Sequence, residues 1–155
     1  MSHKFQEAVQ LVNLANEPIT KAIVYGEQSW AGNNRICSIQ LLCDDVEITD
    51  QADDFFESLC KVRNRLEALG LRPHCYGASE NVYPSGMARD MGGGLRAYKL
   101  VIGKHAKTED LVGIFDSGDD VRPVSVEQQR TFWKRWLIPS GIGLLLSRAF
   151  SGKLE

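Results

Sequence analysis

Phe55, Leu59, Val62, Leu66 and Leu69 step along the chain by 4, 3, 4 and 3 residues. That spacing gathers apolar side chains into one stripe on a helix. A helix with such a stripe is stabilised chiefly by what the stripe covers, and the preceding segments supply a surface. Cys37, Ile39, Leu41 and Cys43 alternate with Ser38 and Gln40, the two-residue period of a half-buried strand over Arg35–Cys43. Ile19–Tyr25 also reads as a strand, and Gln28–Asn34 between the two is turn chemistry, so a β-hairpin is expected. The pattern predicts an α+β protein, a small mixed β-sheet with helices packed on it. Its 155 residues, 1–155, fit a single domain, which would bury roughly two thirds of its unfolded surface.

The remaining elements are read from caps and breakers. Phe5, Ala8, Val9, Val12 and Ala15 recur at helical spacing, which predicts a first helix capped by Ser2 and ended by Asn16 and Pro18. Asp50 is the expected N-cap of the 55–69 helix, and Gly70 the left-handed residue that closes it. Leu71–Ala78 reads as a short strand with Pro73 near its start, and Leu95–Ile102 as a later core strand. Thr108 would cap a short helix. Ser125 and Gln128 match a capping box, opening a helix with Gln129, Phe132, Trp133, Trp136 and Leu137 inward. Residues 79–98 fit neither period, and a connection of about 16 unstructured residues is long for a compact domain and often functional.

Net charge is −2, which argues against a general nucleic-acid binder. Its distribution is uneven. Residues 1–60 carry three bases against ten acids, and the remainder fifteen against ten. Cys37, Cys43, Cys60 and Cys75 form no C-x-x-C pair and lie in apolar runs, so reduced thiols and a cytoplasmic location are expected. No signal peptide is read at Ser2–Glu7.

The acidic run is the strongest candidate for a binding surface. Asp44, Asp45, Glu47, Asp50, Asp53, Asp54 and Glu57 place seven carboxylates in 14 residues with no base among them. Helix-dipole compensation accounts for Asp50 to Asp54 but does not require Asp44, Asp45 and Glu47. Such a patch steers a basic protein partner. A second candidate is a polar pocket in the 79–98 loop made by Tyr83, Ser85, Arg89, Asp90, Arg96 and Tyr98. There the forked Arg89 would take a phosphate- or carboxylate-bearing ligand. Ser85 lacks the strand–G-x-S-x-G–helix setting of a nucleophile. Gly92-Gly93-Gly94 runs into a strand rather than a helix, which suits a tight turn or close backbone approach better than a phosphate loop.

His3, His74 and His105 show no metal-ligand spacing, and no metal or cofactor is expected. Arg130, Lys134 and Arg135 with Lys104, His105 and Lys107 read as a solvated basic face. Trp133, Trp136 and the apolar segment 142–150 would make a homodimer surface if exposed; that segment is too short to span a bilayer.

Asn81-Val82-Tyr83-Pro84-Ser85-Gly86-Met87, Met91-Gly92-Gly93-Gly94 and Ala97-Tyr98-Lys99-Leu100 resemble a pattern in small uncharacterised bacterial proteins. In those proteins a Tyr-Pro-Ser…Met-Gly-x-Gly…Ala-Tyr pattern precedes a Leu-Val-x-Ile-Phe-Asp segment, here Leu111–Asp116. The likeness covers roughly residues 66–137. In size, acidic half and missing catalytic apparatus the chain is also similar to toxin-immunity proteins, a likeness that transfers no residue roles. The expected function is therefore a non-catalytic cytoplasmic binding protein of the immunity or inhibitor kind. Its partner would be a basic toxin domain, with neither nucleic acid nor membrane involved. The alternative is a small-molecule binder or enzyme using residues 79–98.

Overall fold

The computed structural model describes residues 3–138. A curled five-stranded sheet forms a half-barrel in the order β4-β3-β2-β1-β5. Its strands are β1 (His3–Asn13), β2 (Pro18–Ala31), β3 (Asn34–Cys43), β4 (Val46–Ala52) and β5 (Leu71–Pro73). Helix α1 (Phe55–Glu67) connects β4 to β5. A three-stranded sheet, β6 (Val82–Tyr83), β7 (Arg96–Lys99) and β8 (Leu111–Gly113), stands in the order β6-β7-β8. Helix α2 (Gly86–Gly92) joins β6 to β7, and α3 (Val126–Leu137) follows β8.

The α+β architecture is the one the sequence predicts. Among the described residues its strand pairs are all antiparallel rather than mixed; tight turns join β1 to β4 in succession, and such turns return the chain antiparallel. Val9, Leu11, Ala22, Val24, Cys37, Ile39, Leu41 and Ile48 form the buried inner face of the half-barrel. Phe55, Phe56, Leu59, Val62 and Leu66 of α1 belong to the same core. Full burial of each such side chain stabilises by about 1.5–3 kcal/mol. Leu69, the last position of the predicted stripe, is 56% exposed, since α1 ends at Glu67. Gly70 takes φ +74, as expected of the residue that turns the chain after this helix.

Several expectations are corrected. The predicted N-terminal helix is β1, an eleven-residue strand paired with β2 from His3↔Gln28 to Val12↔Pro18. Phe5 and Val9, four residues apart, satisfy either period, but Leu11, which the helical reading leaves out of its stripe, is fully buried, and Ala8, which it counts inward, is exposed. Phe5 lies opposite Gly26, where any β-carbon would overlap its ring. Its ring meets Phe55 edge-on at 5.0 Å. Ser2, the expected cap, lies outside the described residues.

The second correction is β4, hidden in the acidic run. A turn at Asp44-Asp45, with Asp44 at φ 46, sends Val46–Ala52 back along β3. Asp50 therefore belongs to a strand, and the N-cap of α1 is Asp54, whose side chain accepts from the Glu57 amide at 2.8 Å. Third, β2 runs on to Ala31 and the predicted 28–34 turn shrinks to Gly32-Asn33. Leu71–Ala78 is a strand only to Pro73 before a 3-10 turn at Tyr76–Ala78. Thr108–Asp110 is likewise one 3-10 turn entering β8.

Cys37, Cys43, Cys60 and Cys75 are free and buried. Among the described residues, no helix is long and apolar enough to cross a membrane. The 142–150 segment lies outside the described residues.

Candidate functional site

Residues 79–98 are ordered by polar anchors. Ser85 caps α2, its Oγ accepting from the Ala88 amide at 3.0 Å. None of the residues of α2 is buried, so apolar burial does not place this helix. Arg35 of β3 does much of that work. Its guanidinium donates to the carbonyls of Arg89 at 2.6 Å, Asp90 at 2.9 Å and Asp53 at 2.7 Å, and so ties the C-terminal part of α2 to the N-terminus of α1. The glycines complete the junction. Gly93 and Gly94 take φ +67 and +74, and the Gly93 carbonyl accepts from the Phe55 amide at 2.7 Å. A β-carbon on Gly94 would stand 2.8 Å from Asp54 Oδ1. The triple glycine thus serves a tight turn with close backbone approach, the structural role expected of it.

The two candidate sets of the sequence meet at this junction. Arg89 donates to Asp54 Oδ2 at 3.0 Å and stands 3.8 Å from Glu57 Oε2. Its guanidinium also lies over the rings of Phe56 at 5.1 Å and Tyr83 at 5.4 Å. Arg130 of α3 holds the other Glu57 oxygen at 3.1 Å. Asp54 is 6% exposed, so it faces inward as a cap and counter-charge. Asp44, Asp45, Glu47 and Asp53 are exposed. Among the described residues no cation lies within ion-pair distance of these four. Asp50 stands 3.9 Å from Arg65.

The free edge of β4 is closed by α1. Lys61 donates to the Gln51 carbonyl at 2.9 Å and Arg65 to that of Thr49 at 2.7 Å. Cationic side chains on edge carbonyls block strand addition. What this edge presents is therefore carboxylates rather than backbone.

Tyr83 and Tyr98 face a second feature. The Tyr83 ring stacks on Trp133 at 4.5 Å and 16° and meets Phe56 edge-on at 5.1 Å. Beside this stack lies a cavity of about 350 Å3 lined by Tyr83, Ser85, Tyr98, Leu100, Trp133 and Trp136, among others. Trp136 donates its indole N–H to the Lys104 carbonyl at 2.9 Å, which anchors α3 to the loop after β7. Asp90 and Arg96 are exposed and line no part of the cavity.

Sequence reasoning missed one buried polar latch. Arg63 is 4% exposed and donates to Gln129 Oε1 at 2.6 Å, the Gly77 carbonyl at 3.1 Å and the Val124 carbonyl at 2.9 Å. Burial lowers its pKa from the ordinary guanidinium value. Its position one residue beyond Val62, beside the apolar stripe, was the available signal. A further cluster joins Tyr76, Asp120 and Lys99. The phenol donates to Asp120 Oδ1 at 2.7 Å and the ammonium stands 2.7 Å from Oδ2. These bonds hold the Asp120 carboxyl below its usual pKa. Among the described residues, no group of three or more His, Cys, Asp or Glu side chains is gathered to hold a metal ion.

No protein-family model matches this chain, and no curated protein matches it in sequence.

Proposed function

We propose that this is a non-catalytic binding protein of the immunity or inhibitor kind, acting in the bacterial cytoplasm on a basic toxin domain. The observation that carries the reading is the division within the acidic run. Asp54 and Glu57 are engaged by Arg89 and Arg130, whereas Asp44, Asp45, Glu47 and Asp53 are exposed with no cation within ion-pair distance among the described residues. Unpaired carboxylates on a closed sheet edge repel one another at some cost in stability, and a basic partner converts that cost into association rate and selectivity. Ser85 spends its hydroxyl on a helix cap, which fits a role without turnover. The test is purification of the tagged protein from its native host, with mass spectrometry of what is retained stoichiometrically. The combined substitution Asp44→Asn, Asp45→Asn and Glu47→Gln should slow association with that partner and flatten its salt dependence. Absence of a stoichiometric protein partner, or an unchanged rate and salt slope, counts against the reading.

A second reading, small-molecule binding by the 79–98 segment, is favoured by the cavity at Tyr83, Ser85 and Tyr98. Arg89 is not its anion anchor here, because Asp54 and Glu57 already hold that guanidinium.

A further inference from the structure

β5 pairs with β1 only along Leu11–Asn13, so most of the eleven-residue strand β1 keeps one edge uncovered. Which groups that edge presents follows from one hydrogen bond. The Gln10 carbonyl accepts from the His74 amide at 2.7 Å, on the side of β5. The amide and carbonyl of a strand residue point to the same edge, and successive residues alternate between edges. The register irregularity of β1 lies further on, between Leu11 and Val12. Lys4, Gln6 and Ala8 therefore aim their amides and carbonyls the same way as Gln10. Among the described residues, no strand or loop backbone pairs with them on that side.

An uncovered edge is a template for another strand, and proteins shield the edges they keep to themselves. The opposite edge of this sheet is shielded, with Lys61 and Arg65 of α1 on carbonyls of β4. The edge of β1 is treated differently. His3–Val9 contains no proline, and Lys4, Gln6, Glu7 and Ala8 are exposed. The Lys4 ammonium stands 3.8 Å from Glu27 of β2, back over the sheet.

We propose that β1 is a dimerisation edge, pairing antiparallel with β1 of a second copy about a two-fold axis at Gln6. That register sets Lys4 against Ala8 and Gln6 against Gln6, so the three open residues of each copy all find partners, with two main-chain hydrogen bonds in each pair. A shift one way sets Lys4 against Gln10, which His74 already holds; a shift the other way leaves only Lys4 against Gln6 within the described residues. The side chains suit the centred register. Glu7 stands opposite Phe5, and no like charges are directly opposed. Glu7 and its counterpart are diagonal, roughly 7–8 Å apart, which weakens the contact without forbidding it. A self-complementary edge of this kind closes as an isologous dimer. The order β4-β3-β2-β1 then runs on into β1-β2-β3-β4 of the second copy, which carries the two exposed Asp44-Asp45 turns to opposite ends of one sheet. The contact is short, below the standard interface size, so the dimer is reversible.

Sedimentation of the full chain from about 10 µM to about 1 mM tests it, a range suited to weak contacts. The average mass should rise from 17.3 kDa toward twice that value. Gln6→Pro removes an outward amide that β2 does not use, at an edge position where strands tolerate proline. It should keep the wild-type circular dichroism and weaken association by at least about tenfold. Ala8→Pro is the second such variant if Gln6→Pro does not fold. Gln6→Cys tests the axis. The Cα atoms of a hydrogen-bonded pair stand about 5.5 Å apart, within disulfide reach, and the native cysteines are buried. Mild oxidation should therefore cross-link Gln6→Cys, and should not cross-link Lys4→Cys, whose counterpart lies about 14 Å away. A chain that stays monomeric to about 1 mM overturns the proposal. So does a dimer that survives a folded proline variant, which assigns association to another surface. Cross-linking of Lys4→Cys as readily as Gln6→Cys also overturns it.

Discussion

The Arg63 guanidinium donates to Gln129 Oε1 across 2.6 Å in the core, joining α1 to α3. The Gln129 amide nitrogen in turn donates to the carbonyls of Gly77, Ser79 and Val82 at 2.9 to 3.0 Å. Between them, two buried side chains supply donors to three carbonyls of the irregular backbone from the 3-10 turn to β6, Gly77, Ser79 and Val82. That turn leads directly into β6 and the aromatic wall, so the latch positions the candidate site as well as holding α3.

Its energetic signature is coupling. A buried cation that loses one of its acceptors keeps its desolvation cost, and orphaned carbonyls add theirs. Gln129→Leu should therefore destabilise by about 3–5 kcal/mol, the range for breaking a buried polar pair. Arg63→Met should cost a comparable amount. The double variant should cost less than the two together, by about 1–3 kcal/mol, because the guanidinium and the Gln129 oxygen that face each other are then removed together, while the carbonyls that the two side chains serve lose their donors no more than in the single variants combined. Urea unfolding of the four proteins measures the cycle, and strict additivity would show that the two residues act independently.

A second prediction separates Asp54 from its neighbours. Asp54 caps α1 and pairs with Arg89 at 3.0 Å in a partly buried setting. Asp54→Ala should cost about 2 kcal/mol, of which about 1 is the cap and the rest the ion pair together with the uncompensated Arg89. Asp53→Ala should fall within about 0.5 kcal/mol of wild type, as exposed substitutions away from such features do. Equal effects at the two positions would place the cap elsewhere. In the same junction, Gly94→Ala combines a positive φ with a β-carbon 2.8 Å from Asp54 Oδ1. Gly93→Ala meets only contacts of 3.4 Å or more. Gly94→Ala should thus be the costlier of the two by more than about 1 kcal/mol.

What the sequence showed of this junction, and what it did not, follows from the range of each signal. The α1 stripe, Gly70 and the Ser125–Gln128 capping box are set by residues within about one turn of their neighbours in the pattern, and they hold in the structure except for Leu69 at the end of the stripe. Phe5–Ala15 reads as a helix because alternation and helical spacing coincide at Phe5 and Val9, four residues apart, and because an irregularity in β1 between Leu11 and Val12 buries two successive side chains. Pairing with β2, a tertiary fact, decides between them. β4 was concealed because its exposed positions carry acids that read as a charge run, leaving only Val46 and Ile48 to mark a strand. The candidate site has the longest range of all. Arg35 lies 54 residues from Arg89 and Trp136 lies 32 from Lys104. No local pattern could announce that an arginine would spend its fork on distant carbonyls, or that an indole would close on a loop so far away.

The last prediction concerns pH. Cys75 is fully buried beside the latch, and burial pushes its thiol up to about 11 against the opposing pull of Arg63 and nearby backbone amides. Burial does the same at Cys37, again to about 11. In the unfolded chain these thiols ionise near about 8.5. A group whose folded value is raised contributes stability in full below the unfolded value and loses it as pH rises toward the folded one, because the unfolded state releases its proton first. Stability should therefore hold to about pH 8 and then fall by up to about 1.4 kcal/mol per pH unit for each such thiol until the folded value is reached. Cys75→Ala removes one of these groups. Its stability at neutral pH should drop through the cavity it leaves, while its decline between about pH 9 and pH 11 should be shallower than wild type by one thiol's share. Urea unfolding at intervals across that range gives both slopes. Parallel declines would mean that the Cys75 thiol ionises as readily in the folded protein as in the unfolded chain.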